Sequence, residues 1–350
     1  MKRALLIGLV AVCGTLFGEG RCVEYGGEFL ALRPTTCDFP YVIRDPRTLV
    51  ASGVLEELPQ GAAISIDPEY AIGFRLYTTT LFCWGTADIR VDYAHLYTSQ
   101  NGRVELVDEG SLWPVPSPPA TDPAPVTVSA VPTDPLPLFR ANAQRVWDAG
   151  NVELGRRGCK CNAQWRLFGG IHIVSLQDRF VLRDEGKLAV VPGLPIRRIL
   201  RFEDLSLLAR SWGAGPRLGG EFTQTLCWGI GVTGKVGVGL LAGEREDTSL
   251  DSLQFTFFQT GFPPSFETFQ DLNVKGGKRA HLFPEIDARL GLTYSLCLCG
   301  AKLTAEAGYE FTSYINALAR RSFNDQRATL QTDCYSFNLN GFYAGLKLQI

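Results

Sequence analysis

The stretch Lys302-Leu303-Thr304-Ala305-Glu306-Ala307-Gly308-Tyr309-Glu310-Phe311 decides the fold. Its odd positions are apolar or aromatic, and its even positions are charged, hydroxylated or glycine. A 3.6-residue period would scatter these sets around a cylinder, whereas a strand puts each on one face. The same alternation recurs on both sides of it. Ala87, Ile89, Val91 and Tyr93 interleave with Asp88, Arg90 and Asp92. Phe342, Ala344, Leu346, Leu348 and Ile350 interleave with Tyr343, Gly345, Lys347 and Gln349.

Ten such segments are predicted, near 23–33, 70–82, 86–98, 142–157, 163–180, 206–226, 229–243, 284–296, 301–315 and 335–350. Most exceed the usual soluble strand of about 5–6 residues and suit a tilted membrane-spanning strand of about 9–11. Short connections at Cys83–Gly85, Gly158–Asn162, Cys227–Trp228 and Cys297–Gly300 alternate with long ones at 34–69, 99–141, 181–205, 244–283 and 316–334. An even strand count with short turns at one end and long loops at the other is the pattern of an outer-membrane barrel. The predicted fold is therefore all-β, a transmembrane antiparallel up-and-down β-barrel over residues 21–350, with periplasmic turns and outer loops. Between Pro114 and Pro137 the second long loop holds nine prolines, which cannot donate to a sheet ladder, so extended polyproline-like structure is expected there. Leu49–Leu58 is a candidate short helix.

Composition narrows the function classes. Thirty-four Lys+Arg against 36 Asp+Glu gives a net charge of −2, so no basic field exists to attract nucleic acid. Eleven per cent aromatic residues at near-zero net charge excludes a disordered chain. At the N-terminus, Lys2 and Arg3 precede an apolar run from Ala4 to Phe17, too short to span a bilayer as a helix. Residues 1–20 are read as a secretory signal peptide. A lipoprotein signal ending at Cys13 is the rival, with Val12 standing where a small residue is wanted.

A series of motifs runs along the predicted strands, beginning with Gly27-Glu28-Phe29-Leu30-Ala31-Leu32-Arg33 and Gly73-Phe74-Arg75. It continues through Asn151-Val152-Glu153-Leu154-Gly155-Arg156, Trp165-Arg166-Leu167-Phe168-Gly169-Gly170 and Gly213-Ala214-Gly215-Pro216-Arg217-Leu218-Gly219. It closes with Ala288-Arg289-Leu290-Gly291-Leu292, Gly308-Tyr309-Glu310-Phe311 and Leu339-Asn340-Gly341-Phe342-Tyr343-Ala344-Gly345-Leu346. In the order and spacing of these motifs the chain resembles the Legionella-type major outer membrane proteins, a pore-forming family also found in environmental chlamydiae. The resemblance implies a porin in the bacterial outer membrane that passes small hydrophilic solutes without a cofactor. Such barrels usually end in an aromatic residue; this one ends in Ile350.

In a membrane barrel the apolar set faces lipid and the polar set the lumen. The expected pore-lining charges are Arg75, Arg90, Arg166, Arg217, Lys235, Arg289, Lys302 and Lys347, opposed by Asp88, Asp92, Glu153, Glu221, Glu285, Asp287, Glu306 and Glu310. Buried charges persist only when paired, and ten strands lie close to the width that side chains fill. Two readings stay open, a narrow small-solute pore and a non-conducting structural or adhesive barrel.

Ten cysteines are many for an exported barrel. Cys22, Cys83, Cys159, Cys161, Cys227, Cys297 and Cys299 fall at the periplasmic rim, and Cys37 and Cys334 at the opposite end of neighbouring strands. An oxidising compartment favours disulfides, and seven rim thiols leave at least one unpaired within the chain. One reading cross-links the rim to neighbouring envelope proteins, as in the disulfide-linked envelopes of chlamydiae. The other pairs adjacent turns, or Cys37 with Cys334 across the barrel closure.

Several motifs tempt and fail. Gly229-Ile230-Gly231-Val232-Thr233-Gly234-Lys235 has P-loop glycines and lysine, but Val236 stands where a hydroxyl must hold magnesium. The cysteine spacing matches no common zinc pattern, and neither a nucleophile elbow nor H-E-x-x-H occurs. No enzyme is expected. His172, on the polar face among carboxylates, marks the enzymatic alternative; a hydrogen-bonded lumen histidine is its plainer reading. His95 and His281 are expected near the outer strand ends. Tyr70, Tyr93, Tyr97, Trp165, Trp212 and Trp228 read as interfacial girdle or turn residues.

Overall fold

The computed structural model describes residues 22–36, 40–45, 62–66, 68–82, 86–105, 111–114, 126–127, 138–188, 196–259, 265–298, 300–324 and 329–350. In chain order the strands are β1 (Val23–Thr35), β2 (Pro40–Asp45), β3 (Ala62–Ser65), β4 (Ala71–Leu81), β5 (Ala87–Glu105), β6 (Ser111–Pro114), β7 (Val126–Thr127) and β8 (Leu138–Lys160). They continue as β9 (Ala163–Leu188), β10 (Ile196–Thr225), β11 (Ile230–Gln259), β12 (Ser265–Lys275), β13 (Arg279–Leu298), β14 (Ala301–Asn324) and β15 (Thr329–Gln349).

Ten of these close an antiparallel up-and-down barrel in the order β1-β4-β5-β8-β9-β10-β11-β13-β14-β15, with β15 returning to β1. Closure removes every unpaired edge, which the bilayer interior demands. At the seam, Val23 N–H donates to Ile350 O at 3.0 Å and Ile350 N–H to Val23 O at 2.9 Å. The ten strands are those expected, but they run further towards the long-loop end. Much of 181–205 and 244–283, expected as loop, is strand, because β10 and β11 are each 30 residues long. At about 3.3 Å per residue and a tilt near 40°, such a strand rises on the order of 70 Å, against an apolar band about 25 Å tall. The wall therefore stands well clear of the membrane on that side. β12 adds to the free part of β11, and β3-β2-β6-β7 form a small separate sheet. Of the proline-rich stretch, Pro114 ends β6 and Val126–Thr127 forms β7. Its remainder, the candidate helix at 49–58, the signal segment, and Cys13, Cys37, Cys83 and Cys299 lie outside the described residues.

The turn-side part of the outer surface is a lipid-facing belt of Ile72, Leu76, Leu154, Leu167, Ile171, Val236, Leu290, Leu292 and Leu346, all exposed. Trp165 and Trp228 sit at its turn edge, and Tyr70, Tyr97 and Trp212 at its far edge, all with exposed rings. Tyr93 departs from the expected girdle. It is buried, its ring meets Phe74 edge-on, and its hydroxyl donates to Asp148 at 2.7 Å.

Above the belt the polarity of both faces inverts. On β9 the exposed apolar residues are Leu167, Ile171 and Ile173, but the buried ones further up are Val174, Leu176, Phe180 and Leu182. On β1, exposed Phe29 gives way to buried Leu30 and Leu32; on β11, exposed Leu240 gives way to buried Leu241. The physical reason is the solvent. Within the membrane the outside must be apolar, and beyond it the outside meets water while the interior packs as a soluble core does. That core includes Leu96, Leu205, Leu207, Phe283, Tyr314, Phe337 and Leu339.

Candidate functional site: the barrel lumen

All sixteen charges expected in the lumen lie on the inward-facing register of their strands, below the apolar core. Arg166 is almost fully buried and reaches Asp88 at 2.9 Å, Glu153 at 2.8 Å and Glu221 at 3.3 Å. Arg90 meets Glu221 at 3.0 Å and lies 3.9 Å from Asp92. Lys235 bridges Glu153 at 3.4 Å and Glu221 at 3.3 Å. Arg217 pairs with Asp287 and lies 3.4 Å from Glu285. Arg75 holds Glu310 at 2.9 Å, and Arg289 lies 3.3 Å from Glu306. The sequence stretch once tempting as a P-loop is thus β11 wall, with its lysine in this network.

Several partners are missing from the sequence-derived set. Glu28 joins Arg75 at 2.8 Å and Arg289 at 2.8 Å, while Glu24 takes Lys347 at 3.4 Å and Arg157 at 3.5 Å. Both carboxylates sit at even positions of β1, the face that also carries Leu30 and Leu32, so their period was legible once the inversion is recognised. Lys302 is the one lumen lysine with no ion pair within 4.0 Å among the described residues; it lines the mouth with Lys347 and Thr304. That mouth is a vestibule of about 120 Å³ opening at the turn end.

Many pairs cross the barrel instead of joining neighbouring strands. Arg75 on β4 reaches Glu310 on β14, and Arg90 on β5 reaches Glu221 on β10, each three strands away. Such spans need wide rings and long arms to share a narrow bore, and interior glycines make the room. A Cβ on Gly26 would stand 2.0 Å from the Tyr77 ring, and one on Gly155 would stand 2.4 Å from Arg166 Nε. The aromatic rings return the favour electrostatically: the Arg289 guanidinium lies 3.4 Å from the Tyr343 ring centroid and that of Arg90 lies 4.2 Å from Tyr77's.

Where charged and apolar halves meet, two hydrogen bonds span the full diameter. Trp147 Nε1–H on β8 donates to Tyr314 Oη on β14 at 3.0 Å, and those strands are five apart either way round. Further out, Tyr335 on β15 donates to Asp178 on β9 at 3.2 Å, again five strands apart. The β14–β15 register slips between Tyr314 and Leu318, and Asn316 there adopts φ 55°. Beside this bulge Ala317, Leu318 and Ala319 are buried in succession, so the alternation of faces breaks and β14 turns its backbone inward. His281 on β13 steadies the buckle, with Nε2 3.2 Å from the Ala317 carbonyl and its ring stacked 4.8 Å from Phe283. The sequence has no proline or glycine at 315–317 to announce it.

His172 lies just beneath this layer, almost fully buried. Its Nδ1 is 2.6 Å from Asn151 Oδ1, its Nε2 3.2 Å from Tyr314 Oη and 3.6 Å from Glu285. His95, by contrast, sits on the outer surface, paired with Asp148 at 2.8 Å.

At the turn rim, Cys159, Cys161, Cys227 and Cys297 are exposed and Cys22 is half-buried. Cys334 is exposed at the other end, 3.0 Å from Arg245 Nη1. None of these described cysteines is in a disulfide. Cys161 opens its two-residue turn at φ 53°.

Residues 21–350 match the sequence family described as Legionella pneumophila major outer membrane protein precursor. The chain belongs to that family. With the closed barrel and its lipid-facing belt, membership places this chain in the bacterial outer membrane. No curated protein matches it by sequence. Among solved structures it is similar to the outer membrane protease OmpT from Escherichia coli, at 10% identity over 94% of this chain and 96% of that one, with a TM-score of 0.40. A Pseudomonas aeruginosa FadL homologue matches at 9% identity, 95% and 90% coverage and a TM-score of 0.26. The Pseudomonas putida toluene transporter TodX matches at 9% identity, 99% and 93% coverage and a TM-score of 0.22. These likenesses are too distant to bear on solute or activity.

Proposed function

We propose that this protein is a porin for small hydrophilic solutes, shut in this conformation by the apolar filling whose lowest layer is Trp147 and Tyr314. One observation carries the reading: the barrel fills its outer half with leucine and phenylalanine, yet keeps sixteen expected charges and their partners in the membrane half. Desolvating ions is costly, and a well-packed apolar filling is often as stable or more so. A barrel that served only as a plug had the cheaper solution at hand. Opposed charges keep the path wettable while leaving little net preference for one sign.

Planar-bilayer recording of the refolded chain tests this. Discrete, reproducible steps support the porin; a heat-modifiable, β-rich sample that stays silent at every voltage sinks it. The second reading, a non-conducting structural or adhesive barrel, is favoured by the diametric Trp147–Tyr314 bond and by a wall that projects far from the membrane. His172 is sealed between Asn151, Tyr314 and Glu285, so it serves as a hydrogen-bonding strut and no catalytic role is assigned to it.

The rim cysteines support a further envelope role. Four exposed thiols on the periplasmic rim are placed to reach other molecules, and we propose that they cross-link this protein to neighbouring envelope proteins. Intact envelopes treated with a thiol-blocking reagent and run without reductant are expected to show high-mass species that collapse to monomer on reduction. Monomer alone in the unreduced lane would sink the cross-linking.

A further inference from the structure

We propose that the outer hairpin of β14 and β15 is a hinged lid, folded across the bore in this conformation and able to swing out onto the free edge of β12. Below the bulge both strands belong to the wall. β14 pairs with β13 up to Tyr314, opposite Glu285, and β15 pairs with β1 up to Asn338, opposite Thr35. Above it, residues 318–324 and 329–335 pair with each other, and among the described residues no ladder joins them to either flanking strand. The backbone of the hairpin is thus tied to the wall only at its root. That root is bent: Ile315, Asn316 and Ala317 of β14 stand against the single Ser336 of β15. Asn316 adopts φ 55°, and its N–H donates to Ser336 Oγ at 3.2 Å. Extra residues on one strand of a pair kink it in this way.

The underside of the lid is apolar and reaches the far wall. Leu318 and Tyr335 are buried in the core that also holds Phe180 of β9 and Leu205 and Leu207 of β10. Three polar contacts latch it. Tyr335 donates to Asp178 at 3.2 Å, the Ala317 carbonyl lies 3.2 Å from His281 Nε2, and Cys334 Sγ lies 3.0 Å from Arg245 Nη1. The fit is not seamless, because a cavity of about 20 Å³ remains between Ala319 and Arg320 on the hairpin and Phe180 and Asp247 on the wall. A landing edge stands ready. β12 runs along the same edge of β11 as β13, above it, and among the described residues pairs with β11 alone. Its other edge presents unpaired N–H and C=O groups where β14 would continue the wall, and such an edge is a template for a strand. Swung inward, the hairpin keeps its apolar contacts; swung outward, it exchanges them for that ladder.

The lid rests on the porin reading for its purpose, so its test reads position as well as current. Spin labels are placed on Cys334 and on Arg179→Cys, with the other cysteines replaced by serine. Their separation is measured in lipid by electron–electron double resonance. Two populations are expected, a short one matching this structure and a longer one. Tyr335→Phe removes the latching hydroxyl and should raise the longer population several-fold. In planar bilayers, a short cleavable thiol–thiol linker between Cys334 and Arg245→Cys should abolish the conducting steps, and its cleavage should restore them. A single short separation in both chains, or steps that persist unchanged under the linker, overturns the lid and leaves the porin standing. Two populations in a barrel that never conducts keep the lid and sink the porin alone.

Discussion

Replacing both Trp147 and Tyr314 with alanine is expected to raise single-channel conductance several-fold, with longer open times. The two rings meet across the full diameter, five strands apart, so nothing else in that layer replaces their span. Removing them deletes the lowest layer of the apolar filling, directly over a charged half whose wall is already ionic, and loosens the core packed above it. Each truncation also costs stability, on the order of 3–5 kcal/mol for a buried aromatic, so folding is checked first by heat modifiability. Trp147→Phe is the control. It keeps most of the volume and loses only the hydrogen bond, worth about 1 kcal/mol, so its conductance should stay near the parent's. A folded double variant that never conducts would mean that the apolar core above is the true plug, and the structural reading would take the lead.

Arg166→Met should destabilise the barrel by about 3–5 kcal/mol, read as a shift of the urea midpoint in detergent or lipid. Arg166 holds Asp88 and Glu153 in a setting almost without solvent, and stripping one partner from buried ions leaves charge uncompensated. Arg157 and Lys235 still reach those carboxylates, which puts the expected value at the lower end of that range. The contrast is Arg183→Met, whose pair with Asp204 is more than half exposed on both sides. An exposed pair contributes up to about 1 kcal/mol, and salt should erase that small effect while leaving the Arg166 effect intact. Equal shifts for the two variants would show that the lumen is fully hydrated and the network weak.

The sequence by itself determined the wall. Period-2 alternation over segments too long for ordinary strands, short turns alternating with long connections, and the even count together leave a membrane barrel as the consistent solution. The same alternation assigned the inward face, because a strand's two faces are set by parity alone. That is why charges as far apart as Arg75 and Lys347 were legible as one lumen set. The inversion of polarity above the belt was also written in the chain, where Ile171 and Ile173 hand over to Val174 and Leu176. It goes unnoticed when each strand is read with a single phase.

Tertiary structure alone decided which charges meet and whether the bore is open. Closure brings β4 within reach of β14 and β5 within reach of β10, each three strands away, and those distances depend on strand order and shear, which no local pattern encodes. The inward buckle at Asn316 has no glycine or proline to mark it. It arises because Tyr314 can reach Trp147 and Ala317 can reach His281 only once the barrel has closed around them. A sequence lists the groups on each face, and only the closed ring sets how far each lies from the others, which is what makes the lumen a path or a stopper.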